Sequence, residues 1–170
     1  MKYVNQKKEI KGGEDYCGAS CLAMITEEDP QKVAYIVGPS ADDETLTKFL
    51  KFKGYIIDQI TDGSSAEVPP SKETRHAYKP SMTDFEAMRK ALDDGKPILY
   101  HFAGWDHKSS GHYALVTGYT DNGFMFNDPA GDRNKKYFGK SNEGEQVEYS
   151  IDLLIKAGMK RLFSIGDKDA

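Results

Sequence analysis

GHYALVTGYTDNGFMFNDPAG, residues 111–131, decides how this chain is read. Apolar, aromatic and β-branched residues fill 112–119 and 124–127, the composition of two strands, and Asp121-Asn122-Gly123 stands between them. Those turn residues tolerate the positive φ angles of a tight connection, so the pair is a hairpin. The first strand opens on His112 and the second ends in Asn127-Asp128-Pro129, so antiparallel pairing brings His112 and Asp128 to one edge of a sheet. Counted from the turn, the arm back to His112 is longer than the arm out to Asp128. Modest loop extension or a bulge is therefore needed to align them.

Working outward, the same strand pattern marks 97–102, 147–151 and 161–165, with another strand at 55–60. Helical patterns come mostly earlier. Residues 17–28 form one, with Asp15 as candidate N-cap and Pro30 closing the stretch beyond it. Residues 42–53 form a second, its face made by Leu46, Phe49, Leu50 and Lys53 and its stop by Gly54. Thr83 and Glu86 have the spacing of a capping box, opening a helix through Phe85, Met88, Ala91 and Leu92 to Gly95. A short helix is expected at 152–157. Residues 61–81 carry prolines, serines and Gly63 among charges, an exposed loop long enough to act as a lid. Helices first and an antiparallel sheet after them make an α+β fold, one domain over residues 1–170.

The net charge of −4 is spread over interspersed acids and bases rather than blocks, which excludes the basic footprint of a nucleic-acid binder. There is no run of about 20 apolar residues for membrane insertion and no signal-peptide core after Met1. Synthesis in a cytoplasm is the expectation, with any release to the cell envelope made without a signal peptide. The two cysteines, Cys17 and Cys21, are too few for a disulfide framework.

Cys17 falls in the first turn of its helix, where unpaired amides and the macrodipole favour a thiolate. Cys21, one turn deeper and followed by Leu22, Ala23 and Met24, reads as a small core residue. A lone cysteine is more often packing than chemistry, so the case for Cys17 rests on partners. His112, held at the first residue of a buried strand, is the candidate base, in a setting that His76, His101 and His107 do not share. Asp128 is the candidate third member, fixing the imidazole's tautomer, with a local Asx turn before Pro129 as its alternative role. Trp105, in the loop leading to His112, and Tyr113 are candidate substrate contacts.

Asp15-Tyr-Cys-Gly-Ala-Ser-Cys-Leu-Ala-Met24, Gly111-His-Tyr-Ala-Leu-Val-Thr-Gly-Tyr119 and Asn127-Asp-Pro-Ala-Gly131 together resemble the C39-like peptidases, a group of papain-like cysteine enzymes. The resemblance implies a papain-like fold with N-terminal helices and a C-terminal antiparallel sheet. It also implies a triad of Cys17, His112 and Asp128, and an acyl-enzyme thioester that water clears. Papain-like enzymes usually set an oxyanion-binding glutamine closer to the cysteine than any found here. Glu9 to Gly13 holds none, and the candidate is Gln6, with Gly12 and Gly13 supplying an intervening loop. No cofactor or metal is called for, since residues 120–133 lack the ligand pattern of a calcium loop and the cysteines lack paired histidines for zinc. The implied partner is a peptide, with the peptide stems of peptidoglycan as a concrete substrate for a bacterial or phage cell-wall hydrolase. Two alternatives stand beside this: a catalytically silent protein that binds or inhibits, and a transglutaminase-like acyltransferase.

Overall fold

The computed structural model of the protein describes residues 1–60, 66–67, 78–103, 111–131 and 144–167. Short helix α1 (Gln6–Glu9) and a 3-10 turn (Gly13–Asp15) lead into α2 (Cys17–Thr26), α3 (Pro30–Val37) and α4 (Asp43–Phe52). Then come β1 (Ile56–Gln59), β2 (Ala66–Glu67), β3 (Tyr78–Lys79) and α5 (Met82–Asp93). Next are strands β4 (Ile98–Phe102), β5 (His112–Tyr119), β6 (Gly123–Asn127) and β7 (Val147–Ser150), then α6 (Ile151–Ala157) and β8 (Met159–Gly166). The sheet runs β2-β3-β8-β4-β5-β6-β7 with β1 also on β8, and every pairing is antiparallel. The expected α+β architecture is the one that forms.

Strand periodicity divides the interior in two, because successive side chains leave a strand on opposite faces. Leu99, Tyr113, Leu115, Phe163 and Ile165 pack with Leu22, Met24, Val33, Leu46 and Leu50 of α2, α3 and α4. Their sequence neighbours Ile98, Tyr100, Phe102, Ala114, Val116 and Leu162 pack on the other face with Phe85 and Met88 of α5 and Leu154 of α6. Both faces of β4 and β5 are therefore covered, and each fully buried Leu or Phe contributes about 1.5–3 kcal/mol. Aromatic rings fill the second face: Phe126 lies 5.6 Å from Phe102 and 4.8 Å from Tyr149 between centroids.

Of loop extension and a bulge, the β5–β6 hairpin takes the bulge, at Thr117, where the register shifts between Val116 and Gly118. Leu115 faces Asn127, which sets Asp128 level with Ala114, two residues along the same face from His112.

Several helix ends differ from expectation. Asp15 sits in the 3-10 turn, and the cap of α2 is Tyr16, which offers no side-chain bond. Pro30 opens a helix rather than closing one: Asp29 caps α3, and proline at N1 needs no amide partner. The capping box of α5 is Ser81 and Asp84, two residues ahead of the Thr83–Glu86 pair. Ser81 Oγ accepts from the Asp84 amide at 3.2 Å and Asp84 Oδ2 accepts from the Ser81 amide at 2.7 Å. Asp84 reaches back as well as Glu does, and that choice starts the helix at Met82. Most of the expected exposed loop, residues 61–81, lies outside the described residues, although β2 and β3 within it pair with one another and β3 pairs with β8.

Candidate active site

Cys17 is the first residue of α2, a helix whose leading amides no side chain caps. A thiolate there meets the positive end of the helix and the orphan N–H groups. Cys17 is half-buried. Burial pushes its thiol up, but hydrogen bonding to His112, the His112 charge and the amides of Tyr113 and Gly18 outweigh that and hold it below the ordinary thiol value. Cys21 is fully buried, and burial, reinforced by Cys17 and Asp128, pushes its thiol well up. The helix can approach α4 this closely because Gly18 presents no side chain: a Cβ there would lie 3.0 Å from Leu46.

His112 is almost wholly enclosed and stacks near Phe102, 6.1 Å between ring centroids. Its Nε2 donates to Asp128 Oδ1 at 2.7 Å, which leaves Nδ1 as the nitrogen for the Cys17 thiol. Burial pulls the imidazole down, but the Asp128 charge and hydrogen bond, followed by Cys17, raise it to about 9. The two shifts favour one state, a thiolate beside an imidazolium.

Asp128 is completely buried. Besides His112, Oδ1 accepts from the Ala130 amide at 2.9 Å, and Oδ2 accepts from the Tyr149 hydroxyl at 2.5 Å. Its backbone is pinned too: the amide donates to Gly144 O at 2.8 Å and the carbonyl accepts from Tyr3. Tyr149 is the polar partner that sequence reasoning missed. Strand alternation could have turned it inward, but its meeting with Asp128 depends on the β6–β7 pairing, which no local pattern announces.

Gln6 is buried close by, its amide N–H donating to Pro129 O at 2.9 Å. Its side-chain Nε2 donates to the carbonyls of Gly13 and Glu14, both at 2.9 Å, and Oε1 is enclosed with no hydrogen-bond partner among the described residues. The turn lies against α1 so tightly that a Cβ on Gly13 would fall 1.7 Å from Gln6 O. Tyr113 is buried against α2 and α4, and its hydroxyl donates to Asp43 Oδ1. His101, partly buried, bonds the same carboxylate oxygen at 2.8 Å. Trp105, His76 and His107 lie outside the described residues. The structure thus brings Cys17, His112 and Asp128 together, with Gln6 beside their supporting loops. Among the described residues, no group of three His, Cys, Asp or Glu side chains could hold a metal ion.

Comparison with known proteins places the fold. Solved structures with the same fold include the peptidase domain of Streptococcus ComA, a bifunctional ABC transporter of a quorum-sensing pathway. It is 15% identical, with TM-score 0.60, covering 97% of this chain and 97% of that one. A double glycine motif protease from an AMS/PCAT transporter, solved with its leader peptide, is 13% identical with TM-score 0.57, covering 96% of this chain and 89% of that one. A C39-like peptidase from Bacillus anthracis is 13% identical with TM-score 0.58, covering 98% of this chain and 94% of that one. No curated protein gives a significant match. The family comparison is the stronger: the Peptidase_C39 like family matches residues 1–150, so the chain belongs to that family of cysteine peptidases.

Proposed function

We propose that the protein hydrolyses a peptide or amide bond through a thioester on Cys17. The observation that carries this is the continuous hydrogen-bonded chain from thiol to imidazole to carboxylate, ending in the 2.7 Å His112–Asp128 bond. Cys17 thiolate attacks the scissile carbonyl carbon, and the developing oxyanion is met by the Cys17 amide at the helix start. The tetrahedral intermediate collapses as His112 passes its proton to the leaving nitrogen, giving a free amine and the thioester. Water, deprotonated by His112, then attacks the thioester and returns Cys17 with release of the acid. Asp128 orients the ring and stabilises its charge without taking the proton.

Gln6 is the proposed second oxyanion donor, and in that role its amide leaves the Gly13 and Glu14 carbonyls when substrate arrives. The commitment of both Nε2 hydrogens to those carbonyls favours one second reading, a protein that grips peptides without cutting them. For the substrate, an extended peptide is supported by the leader peptide held in a protease of the same fold. Peptidoglycan stem peptides are the cell-wall version of that class, with Trp105 as the proposed contact; Tyr113, expected beside it, is instead buried with its hydroxyl on Asp43 and offers the substrate no surface.

The test is digestion, with mass spectrometry of the products, of purified sacculi and of linear peptides that include a double glycine. Release of fragments that Cys17→Ala abolishes is expected. Cleaved linear peptides with intact sacculi remove the cell-wall substrate. Added amine that appears in the products identifies an acyltransferase, and no cleavage of either set, with tight peptide binding retained, identifies the silent reading.

A further inference from the structure

On the far side of Tyr113 from the reacting thiol lies a second polar cluster that the catalytic chemistry does not use. Asp43, the first residue of α4, directs Oδ1 at two donors on adjacent strands: His101 Nδ1 on β4 at 2.8 Å and the Tyr113 hydroxyl on β5. His101 and Tyr113 are cross-strand partners, and their rings stack at 4.2 Å between centroids. Arg161 on β8 approaches the other Asp43 oxygen, Nε to Oδ2 at 3.8 Å. One carboxylate therefore ties a helix to three neighbouring strands.

These ties hold the start of β5 in place. Tyr113 comes directly after His112, and its main-chain N–H donates to Cys17. Gly111 precedes His112 at φ +157, and a Cβ there would lie 2.8 Å from His101 Nε2. The residues on either side of the base thus rest on the two side chains that Asp43 binds.

We propose that Asp43 is a positioning residue for the peptidase reaction: through Tyr113 and His101 it fixes the first turn of β5, and with it the Tyr113 amide on the Cys17 sulfur and the His112 ring. This rests on Cys17 being the nucleophile. Burial pushes the Asp43 carboxyl up, but the His101 and Tyr113 bonds and the Arg161 charge hold it below its usual range, so it is ionised and accepting at neutral pH. Burial and the same carboxylate push the Tyr113 phenol far up, which keeps it a donor.

The experiment tracks iodoacetamide alkylation of Cys17 against pH, beside peptide cleavage, in the wild-type chain, Asp43→Ala, Asp43→Asn and Tyr113→Phe. In Asp43→Ala and Tyr113→Phe the alkylation midpoint is expected to rise by about one pH unit, the scale of one lost bond to a charged group. kcat is expected to fall about tenfold or more with little change in KM, and Asp43→Asn, which keeps the acceptor oxygen, to recover most of both. Removing a negative charge alone shifts the midpoint the other way, by easing thiolate formation. Unchanged midpoints and kcat in Asp43→Ala and Tyr113→Phe overturn the proposal while leaving Cys17 as nucleophile. If Asp43→Ala does not fold, Tyr113→Phe decides alone. An ordinary thiol midpoint in the wild-type chain overturns the nucleophile and the proposal together.

Discussion

Two thiols one helical turn apart are given opposite chemistry by a few ångströms of surroundings. Cys17 meets His112 and two amides and is held down, whereas Cys21 meets only apolar core and two anions and is pushed up. Limited iodoacetamide at pH 6 should therefore label Cys17 and leave Cys21 untouched, as read by peptide mapping; equal labelling would contradict the assignment. Cleavage should trace a bell in pH. It falls on the acid side as the thiolate is protonated, below the ordinary thiol value because that group is lowered, and on the basic side as the imidazolium loses its proton near about 9. Both limbs belong to the pair, so Asp128→Asn, which withdraws the charge stabilising the imidazolium, should pull the basic limb down. Tyr149→Phe strips one donor from a fully buried carboxylate. The expected cost is about 1–3 kcal/mol of stability, with kcat/KM down by roughly tenfold. Thermal melts and initial rates check both.

At the level of elements, α2 and α5 show opposite solutions at their N-termini. In α5, Ser81 and Asp84 satisfy each other's amides, which is a purely structural closure. In α2 the cap is missing and the thiol takes its place. Ser81→Ala should cost about 1 kcal/mol in a denaturant titration and leave cleavage rates unaltered, because α5 packs on the sheet face away from Cys17. A changed kcat would show that the two faces communicate. The elements were legible where pattern and turn chemistry agree: the Asp-Asn-Gly hairpin, the Leu46-Phe49-Leu50 stripe and the apolar run of β4. They were misread where one residue type serves two purposes. Pro30 stops a helix as readily as it starts one, and α1 has too few residues for any periodicity to emerge. In the site, Cys17, His112 and Asp128 were visible because each opens or ends an element. Tyr149, Asp43 and Tyr3 were not, since their contacts join segments far apart in the chain and depend on tertiary packing alone.

On the scale of the molecule, the proposed nucleophile Cys17 belongs to the helical layer, and the proposed base His112 and its partner Asp128 to the sheet. Only docking of α2 on β5 brings them within reach, through the core of Leu22, Leu46, Leu115 and Tyr113. Loss of cleavage and loss of far-ultraviolet circular dichroism should coincide in urea. Activity vanishing at lower urea would mean that α2 lifts off before the sheet melts. Asp128 adds a different kind of consequence. Its amide and the Gly144 carbonyl close a hydrogen bond between the segments that flank residues 132–143, while Tyr3 clamps the neighbouring carbonyl from outside. The orienting carboxylate is thus held by the frame on either side of that stretch. For protein engineers this makes Tyr3 and Gly144 the handles on Asp128, the places from which its main chain can be shifted without altering a side chain that bonds its carboxylate.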